Sequence, residues 1–133
     1  MSFEYEYDPA ARVIRIKLFD VLTSQDVIEY GRRVTDELPD GITFAELVDF
    51  RGLDDINMSY EESIHFKDVF AGLKKYKGYR GTVMLVGTDF QFGMARMLSA
   101  VIGEVGTVHV VREDEEAEAS VKEILTDDAQ ETR

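Results

Sequence analysis

The chain is predicted to fold as one α/β domain: a five-stranded mixed sheet, strands 2–5 parallel and strand 1 antiparallel, with four helices in the order β-β-α-β-α-β-α-β-α. Three observations carry this prediction. From residue 13 onward, apolar runs of strand length alternate with longer amphipathic stretches, and such spacing implies right-handed crossovers between parallel strands. Before that, two strictly alternating segments, Phe3–Tyr7 and Val13–Leu18, flank the turn residues Asp8-Pro9-Ala10-Ala11 and so form a hairpin. Finally, 133 residues with 44% hydrophobic content, including 8 Phe and 6 Tyr, suffice for a single core.

Taken in order, the hairpin is expected to set Tyr7 opposite Arg12, Tyr5 opposite Ile14, Phe3 opposite Ile16 and Glu4 opposite Arg15, leaving one face of this sheet edge wet. Ser24 is the expected N-cap of a first helix whose Val27, Ile28, Gly31, Val34 and Leu38 fall on one stripe, closed by Pro39-Asp40-Gly41. Phe44–Phe50 is the third strand, followed by a loop over 51–58. Ser59 with Glu62 then forms a capping box, opening a helix that buries Phe66, Val69, Leu73 and Tyr76 and ends at Lys77-Gly78. Gly78-Tyr79-Arg80-Gly81 reads as a turn into Thr82–Val86, the most continuously apolar strand and the expected centre of the sheet. Thr88-Asp89 cap a third helix that places Phe90, Met94, Met97, Leu98, Val101 and Ile102 toward the core, with Gly103 ending it. Val108–Val111 is the last strand. Asp114–Leu125 is an acidic helix with Ala117, Val121, Ile124 and Leu125 inward. The domain is placed at 1–125 and a polar, acidic, disordered tail at 126–133.

A net charge of −12 opposes nucleic-acid binding, which needs a clustered basic face. Between Glu113 and Arg133, nine acids face two bases. Lys74-Lys75-Tyr76-Lys77-Gly78-Tyr79-Arg80 is the basic exception, either complementing a helix end or docking an acidic partner. No run reaches the roughly 20 apolar residues of a membrane span, the start MSFEYEYDP has no secretory pattern, and no cysteine is present. The expectation is a cytoplasmic protein.

With its elements in this order the chain resembles the STAS fold of anti-sigma-factor antagonists, and most of all the SpoIIAA-like branch of small bacterial proteins. The resemblance rests on Leu47-Val48-Asp49-Phe50 and the stretch after it, on Phe92-Gly93-Met94-Ala95-Arg96-Met97, and on Val110-Val111-Arg112-Glu113 before the closing helix. The architecture is also similar, more distantly, to CRAL-TRIO lipid-transfer domains. In anti-sigma-factor antagonists the stretch after the third strand ends in an Asp-Ser-Ser-Gly-like sequence whose first Ser is phosphorylated. Here it reads Asn57-Met58-Ser59-Tyr60, with Met58 where the phosphate acceptor stands and Tyr60 for the glycine. The capping box accounts for Ser59, so no phosphosite is expected.

Ligands of open α/β sheets bind beyond the carboxyl ends of the strands, where the chain places Asp49, Arg51, Thr88, Asp89 and Arg112, along with Asp20 and Thr23. Asp54 and Asp55 flank them. Nothing in their spacing indicates a metal or other cofactor. His65 and His109 do not form a pair, no Gly-x-Ser-x-Gly elbow or phosphate loop occurs, and no enzyme is expected. Phe92 and Arg96, four apart on the third helix, point away from its core arc together. They form either a surface cation–π pair worth about 0.5–1 kcal/mol or an anchor for a partner. Tyr60, Ile64 and Ala71 line the outer side of the second helix and suit a homodimer contact or packing by the closing helix. The function expected is therefore a non-catalytic protein-binding or regulatory module lacking the phosphoswitch serine. The alternative is a small carrier of an apolar or amphipathic ligand, as the CRAL-TRIO similarity implies. An enzyme using Asp49, Asp89 and Arg112 is a more distant third.

Overall fold

A computed structural model describes residues 3–131 of the chain. A hairpin of β1 (Phe3–Asp8) and β2 (Val13–Thr23) leads into α1 (Ser24–Glu37), β3 (Phe44–Asn57), α2 (Tyr60–Lys77), β4 (Tyr79–Leu85), α3 (Asp89–Ile102), β5 (Thr107–Val111) and α4 (Asp114–Glu131). The strands pair in chain order into one sheet, with β1 antiparallel to β2 and every later pair parallel. Right-handed crossovers that always step in one direction put their helices on one face. Accordingly α1, α2 and α3 cover one side, and α4 covers the other. The alternation of β3 separates the two cores: Phe50 packs under α1–α3 with buried Glu46 on the same face, whereas Ala45 and Leu47 pack under α4. Ala117, Val121, Ile124 and Leu125 of α4 are buried there as the acidic helix pattern predicts.

Several local expectations are corrected. The hairpin pairs Tyr7 with Ile14, Tyr5 with Ile16, Phe3 with Leu18, Glu6 with Arg15 and Glu4 with Lys17. The four-residue turn sits one position later than expected, because Arg12 takes a left-handed φ of 54° and Asp8 Oδ1 accepts the Ala11 amide. An even slip keeps every side chain on its predicted face, so the apolar pairing survives. The expected loop 51–58 is instead mostly strand. β2 and β3 run on together, pairing Phe19–Thr23 with Gly52–Asn57 around a bulge where Asp20 has φ 54°. This ribbon buries only Leu22 and Leu53, so its sequence reads as turn. Tyr79–Gly81 likewise belong to β4, and the middle strand of the sheet is β3, not β4.

Helix faces shift as well. Thr23, not Ser24, caps α1, sharing a capping box with Asp26. Its buried face holds Val27, Tyr30, Gly31 and Val34, whereas Ile28 is exposed. Phe66, Phe70 and Leu73 of α2 are buried and Val69 is half-buried; Tyr76 lies outside the described side chains. On α3, Gln91, Met94, Ala95, Leu98 and Ile102 are buried, and Phe90 and Met97 are exposed instead of core-facing. α4 continues past residue 125 to Glu131, so the boundary expected there falls inside a helix; residues 132 and 133 lie outside the described residues. Gly78 closes α2 with φ 83°, against the Ile42 carbonyl, a place for glycine alone. Among the described residues no helix is long and apolar enough to cross a membrane.

Candidate functional site

The polar residues beyond the sheet's carboxyl end fall into separate clusters. Asp49 and Arg51 stand on the α4 side of β3. The Arg51 guanidinium donates to Asp49 through Nε and Nη2 at 3.0 Å each, and to Asp114 at 3.1 and 3.3 Å. Burial pushes the Asp49 carboxyl up, but the bonds and charge of Arg51 outweigh it and hold the group below the usual carboxylate range. Both carboxylates raise the Arg51 pKa in return. A shallow groove of about 160 Å³ runs beside them, with the Arg15–Glu118 ion pair and Lys17 along it.

The second cluster sits at the start of α3. Thr88 caps the helix, accepting the Gln91 amide at 3.1 Å. Asp89 accepts from Arg112 at 2.8 Å. The Arg112 guanidinium also lies over the Phe92 ring, 5.2 Å from its centroid, while Arg96 lies over the same ring at 5.8 Å. The Phe92–Arg96 pair thus forms as the spacing suggests, and a second arginine joins it. At about 100° per residue, Phe90, Met97, Gly93, Ala100, Asp89, Arg96 and Phe92 follow one another around the outer half of α3. Phe90 is 60% and Met97 51% exposed, so this arc is an apolar stripe bordered by Arg96 and by the Asp89–Arg112 ion pair.

The remaining candidates disperse. Asp20 lies at the β2 bulge, Thr23 caps α1, and Asp54 and Asp55 ride on the β2–β3 ribbon, away from Asp49. Ser59 caps α2: its hydroxyl accepts the Glu62 amide at 3.1 Å and Glu62 answers on the Ser59 amide at 2.9 Å. Met58 packs against the core. In the basic segment, Lys74 donates to the Val105 carbonyl at 3.0 Å, and Lys77 is buried against the Leu38 carbonyl and Asp40. Among the described residues no three His, Cys, Asp or Glu side chains gather as a metal site.

Two important groups escape a reading of the sequence. Gln91 is buried; its Oε1 accepts the Gly87 and Thr88 amides, and its Nε2 donates to the Arg51 and Leu53 carbonyls at 3.1 and 3.2 Å. One amide therefore locks the start of α3 onto β3. With Gln91 turned inward, the buried arc keeps Met94, Leu98 and Ile102 but leaves Phe90 and Met97 outside, a rotation of the face that hydrophobicity alone selects. Gln91→Ala is expected to cost about 1–2 kcal/mol in a urea melt, since a buried side-chain amide loses four hydrogen bonds to the backbone, of which the one to the Leu53 carbonyl is fully buried.

The second is Glu46, fully buried in β3. Tyr30 donates to its Oε2, Thr82 donates to its Oε1 at 2.7 Å, and the Tyr79 hydroxyl meets Thr82 Oγ1 at 2.6 Å. Burial raises the Glu46 pKa to about 7, although the two hydroxyls favour the ionised form. The phenols of Tyr30 and Tyr79 are pushed up by burial and by the Glu46 charge. A glutamate in an otherwise alternating strand reads as solvent-facing, and only the sheet's coverage on both sides reveals it as core.

No family model matches the chain, and no curated protein does. Among solved structures, the chain is similar to an uncharacterized protein of the DUF3478 family with a SpoIIAA-like fold from Shewanella loihica PV-4. The match has a TM-score of 0.56 at 16% identity and covers 90% of this chain and 91% of that one. At that identity the match speaks for architecture, and it agrees with the resemblance carried by the Leu47–Phe50, Phe92–Met97 and Val110–Glu113 stretches. The chain has the SpoIIAA-like, STAS-type α/β fold.

Proposed function

We propose that the protein is a non-catalytic, cytoplasmic module that works by binding a protein partner through the outer face of α3. Fold alone does not assign an activity, so the proposal rests on the surface. Its single strongest support is the Phe92 ring under both Arg96 and Arg112, beside exposed Phe90 and Met97. Aromatic and arginine side chains supply most interface hot spots, and flexible Met adapts to a partner's shape. Arg96 beside the apolar stripe, with Arg112 held over the same ring and paired to Asp89, favours a partner segment with apolar residues and an acid of its own to meet Arg96.

At the strand ends, Arg51 is matched by two carboxylates and Asp89 by Arg112, which suits a contact surface better than a reaction centre. The homodimer belongs to the same proposal. Ile28, Tyr60 and Ile64 are 51%, 78% and 44% exposed around the first turns of α1 and α2, where Ser24 donates to Glu62 at 2.6 Å, and a second copy would cover them. The lipid-carrier alternative is weaker, because the core cavity measures about 70 Å³ against the roughly 300–1,000 Å³ of ligand pockets.

Photocrosslinking in cells of the source organism tests the α3 face. A photoreactive residue at Phe90 or Met97 is expected to yield one discrete protein adduct, which Arg96→Glu with Arg112→Glu abolishes. The same residue placed at Glu123, on α4, should yield none. Adducts insensitive to the charge reversals, or equal at both positions, would remove the case for this face.

A further inference from the structure

The two edges of the sheet differ in chemistry. β1 forms one edge and carries Glu4, Glu6 and Asp8, charges of the kind that keep an edge strand from further pairing. β5 forms the other. Thr107–Val111 contains no Asp, Glu, Lys, Arg or Pro, and it pairs residue for residue with Gly81–Leu85 of β4. Thr107 is exposed and the next four residues are only half-buried, although α3 packs on one face of the sheet and α4 on the other. The Val111 carbonyl accepts the Val86 amide at 2.9 Å, so residues 107, 109 and 111 direct their backbone groups at β4. Alternate residues of a parallel ladder point the other way. The N–H and C=O of Val108 and Val110 therefore face outward, and among the described residues no further strand pairs there.

The flanking side chains define what an added strand would carry. On the α3 side the edge is continuous with the docking face: Arg112, directly after β5, lies over Phe92, and Arg96 lies over the same ring. On the α4 side, Asp114 and Glu118 turn toward Arg51 and Arg15 of the inner strands. At about 100° per residue the opposite margin of that helix holds Glu116 and Ser120, with exposed Glu113 just ahead of it. His109 shares this face, because it pairs with Val83, which packs under α4. The edge thus has cations above one side and acids above the other.

We propose that β5 is the edge to which an extended segment of the protein partner adds as an antiparallel strand, with apolar residues and an acid on its α3 side and basic residues on its α4 side. This rests on partner binding at α3 and adds the way in which the partner's chain is held. In an antiparallel pair, the residues bonded to Val108 and Val110 place their side chains on the same face as those valines, which is the face of α3. Main-chain bonds to the four outward groups supply affinity, and the alternating side chains supply specificity.

Amide NMR of the full chain with a capped synthetic heptapeptide, Lys-Val-Lys-Glu-Lys-Val-Thr, tests the edge directly. Saturable shifts and slowed hydrogen exchange are expected at the Val108 and Val110 amides. N-methylation of the peptide's two Val and its Glu, the residues that bond the edge, should weaken binding at least about tenfold, whereas N-methylation of its three Lys should change it by no more than about twofold. The two methylated peptides carry equal charge, so attraction to an acidic chain cannot produce the difference. Val110→Pro removes one outward N–H and leaves the bonds to β4, a change that edge strands tolerate, and it should lose the response that Val110→Thr keeps. The methylated peptides decide the matter on the unsubstituted chain even if Val110→Pro unfolds. Equal loss from both methylations, no saturable shifts at Val108 and Val110, or unchanged binding by folded Val110→Pro would each overturn the proposal. Protection of these amides that grows with protein concentration in the absence of peptide would also overturn it, assigning the edge to a second copy. A crosslinked partner in cells that depends on Arg96 and Arg112 but is indifferent to Val110→Pro would keep the α3 face and remove this edge.

Discussion

Between about pH 4.5 and about pH 7 the protein is expected to lose roughly 3 kcal/mol of folding stability as the pH rises, and Glu46→Gln to abolish most of that loss. Folding raises the Glu46 pKa from the ordinary 4.5 to about 7, so the folded chain holds a proton that the unfolded chain has released. Stability contributed by the protonated form is complete below the unfolded pKa, falls across that window and levels off above it. Each pKa unit between the unfolded and folded values is worth about 1.36 kcal/mol, which sets the size of the fall. In Glu46→Gln the side chain keeps an acceptor for Tyr30 or Thr82 but has no proton to lose. The profile of that variant across the window should therefore be nearly flat apart from exposed carboxylates. Urea melts at a series of pH values measure this. A wild-type profile that rises through the window, or an identical fall in Glu46→Gln, would show that Glu46 is not the group responsible.

Gly81→Val should destabilise the fold by roughly 3 kcal/mol, at the upper end for overpacking. A Cβ at this position in β4 would stand 2.5 Å from the Thr107 carbonyl oxygen of β5 and about 3.1–3.2 Å from Ile124 of α4. Backbone on one side and a packed helix on the other leave no room to yield. The same close approach lets α4 sit directly on the sheet, burying Ile124 against Val83 and Leu85. Gly72→Ala is the matching control. Among the described residues nothing lies within 4 Å of a Cβ there, and Ala favours the α2 helix, so a gain of up to about 1 kcal/mol is expected. The midpoint shifts at constant slope in urea report both values. Hydrogen exchange locates the damage in Gly81→Val, where amides of β5 and α4 should lose protection first.

The order of elements was legible because strand and helix periods differ and because β-α-β spacing permits one handedness of crossover. The α4 face was legible too: Ala117, Val121, Ile124 and Leu125 stand at helical spacing in a strongly polar helix, so the pattern has no competitor. The faces of α1 and α3 were legible in part: Val27, Gly31, Val34, Leu38, Met94, Leu98 and Ile102 are buried as their spacing predicts, whereas Ile28, Phe90 and Met97 are exposed. There a polar side chain with a buried partner decides the rotation, Tyr30 on Glu46 and Gln91 on the Arg51 and Leu53 carbonyls, and hydrophobic spacing gives those residues the wrong sign. The β2–β3 ribbon was hidden for a related reason, since Asp20, Gly52, Asp54 and Asp55 are turn formers that a bulged, mostly exposed pair of strands tolerates.

Of the site, Phe92 and Arg96 could be paired from their i, i+4 spacing, and Thr88 could be read as a cap. The approach of Arg112 to the same ring, and of Asp114 to Arg51, joins residues distant in sequence and follows only from the strand order. Glu46 was the least visible, because burial of an acid is a property of both sheet faces being covered and not of its neighbours in the chain.

Native mass spectrometry of the protein taken from its source tests most directly whether this molecule acts by contact. The prediction is a complex retaining a protein partner, on a dimeric core, that dissociates when Arg96→Glu and Arg112→Glu are introduced together. A monomer that keeps no protein partner, or a complex indifferent to both charge reversals, would contradict it.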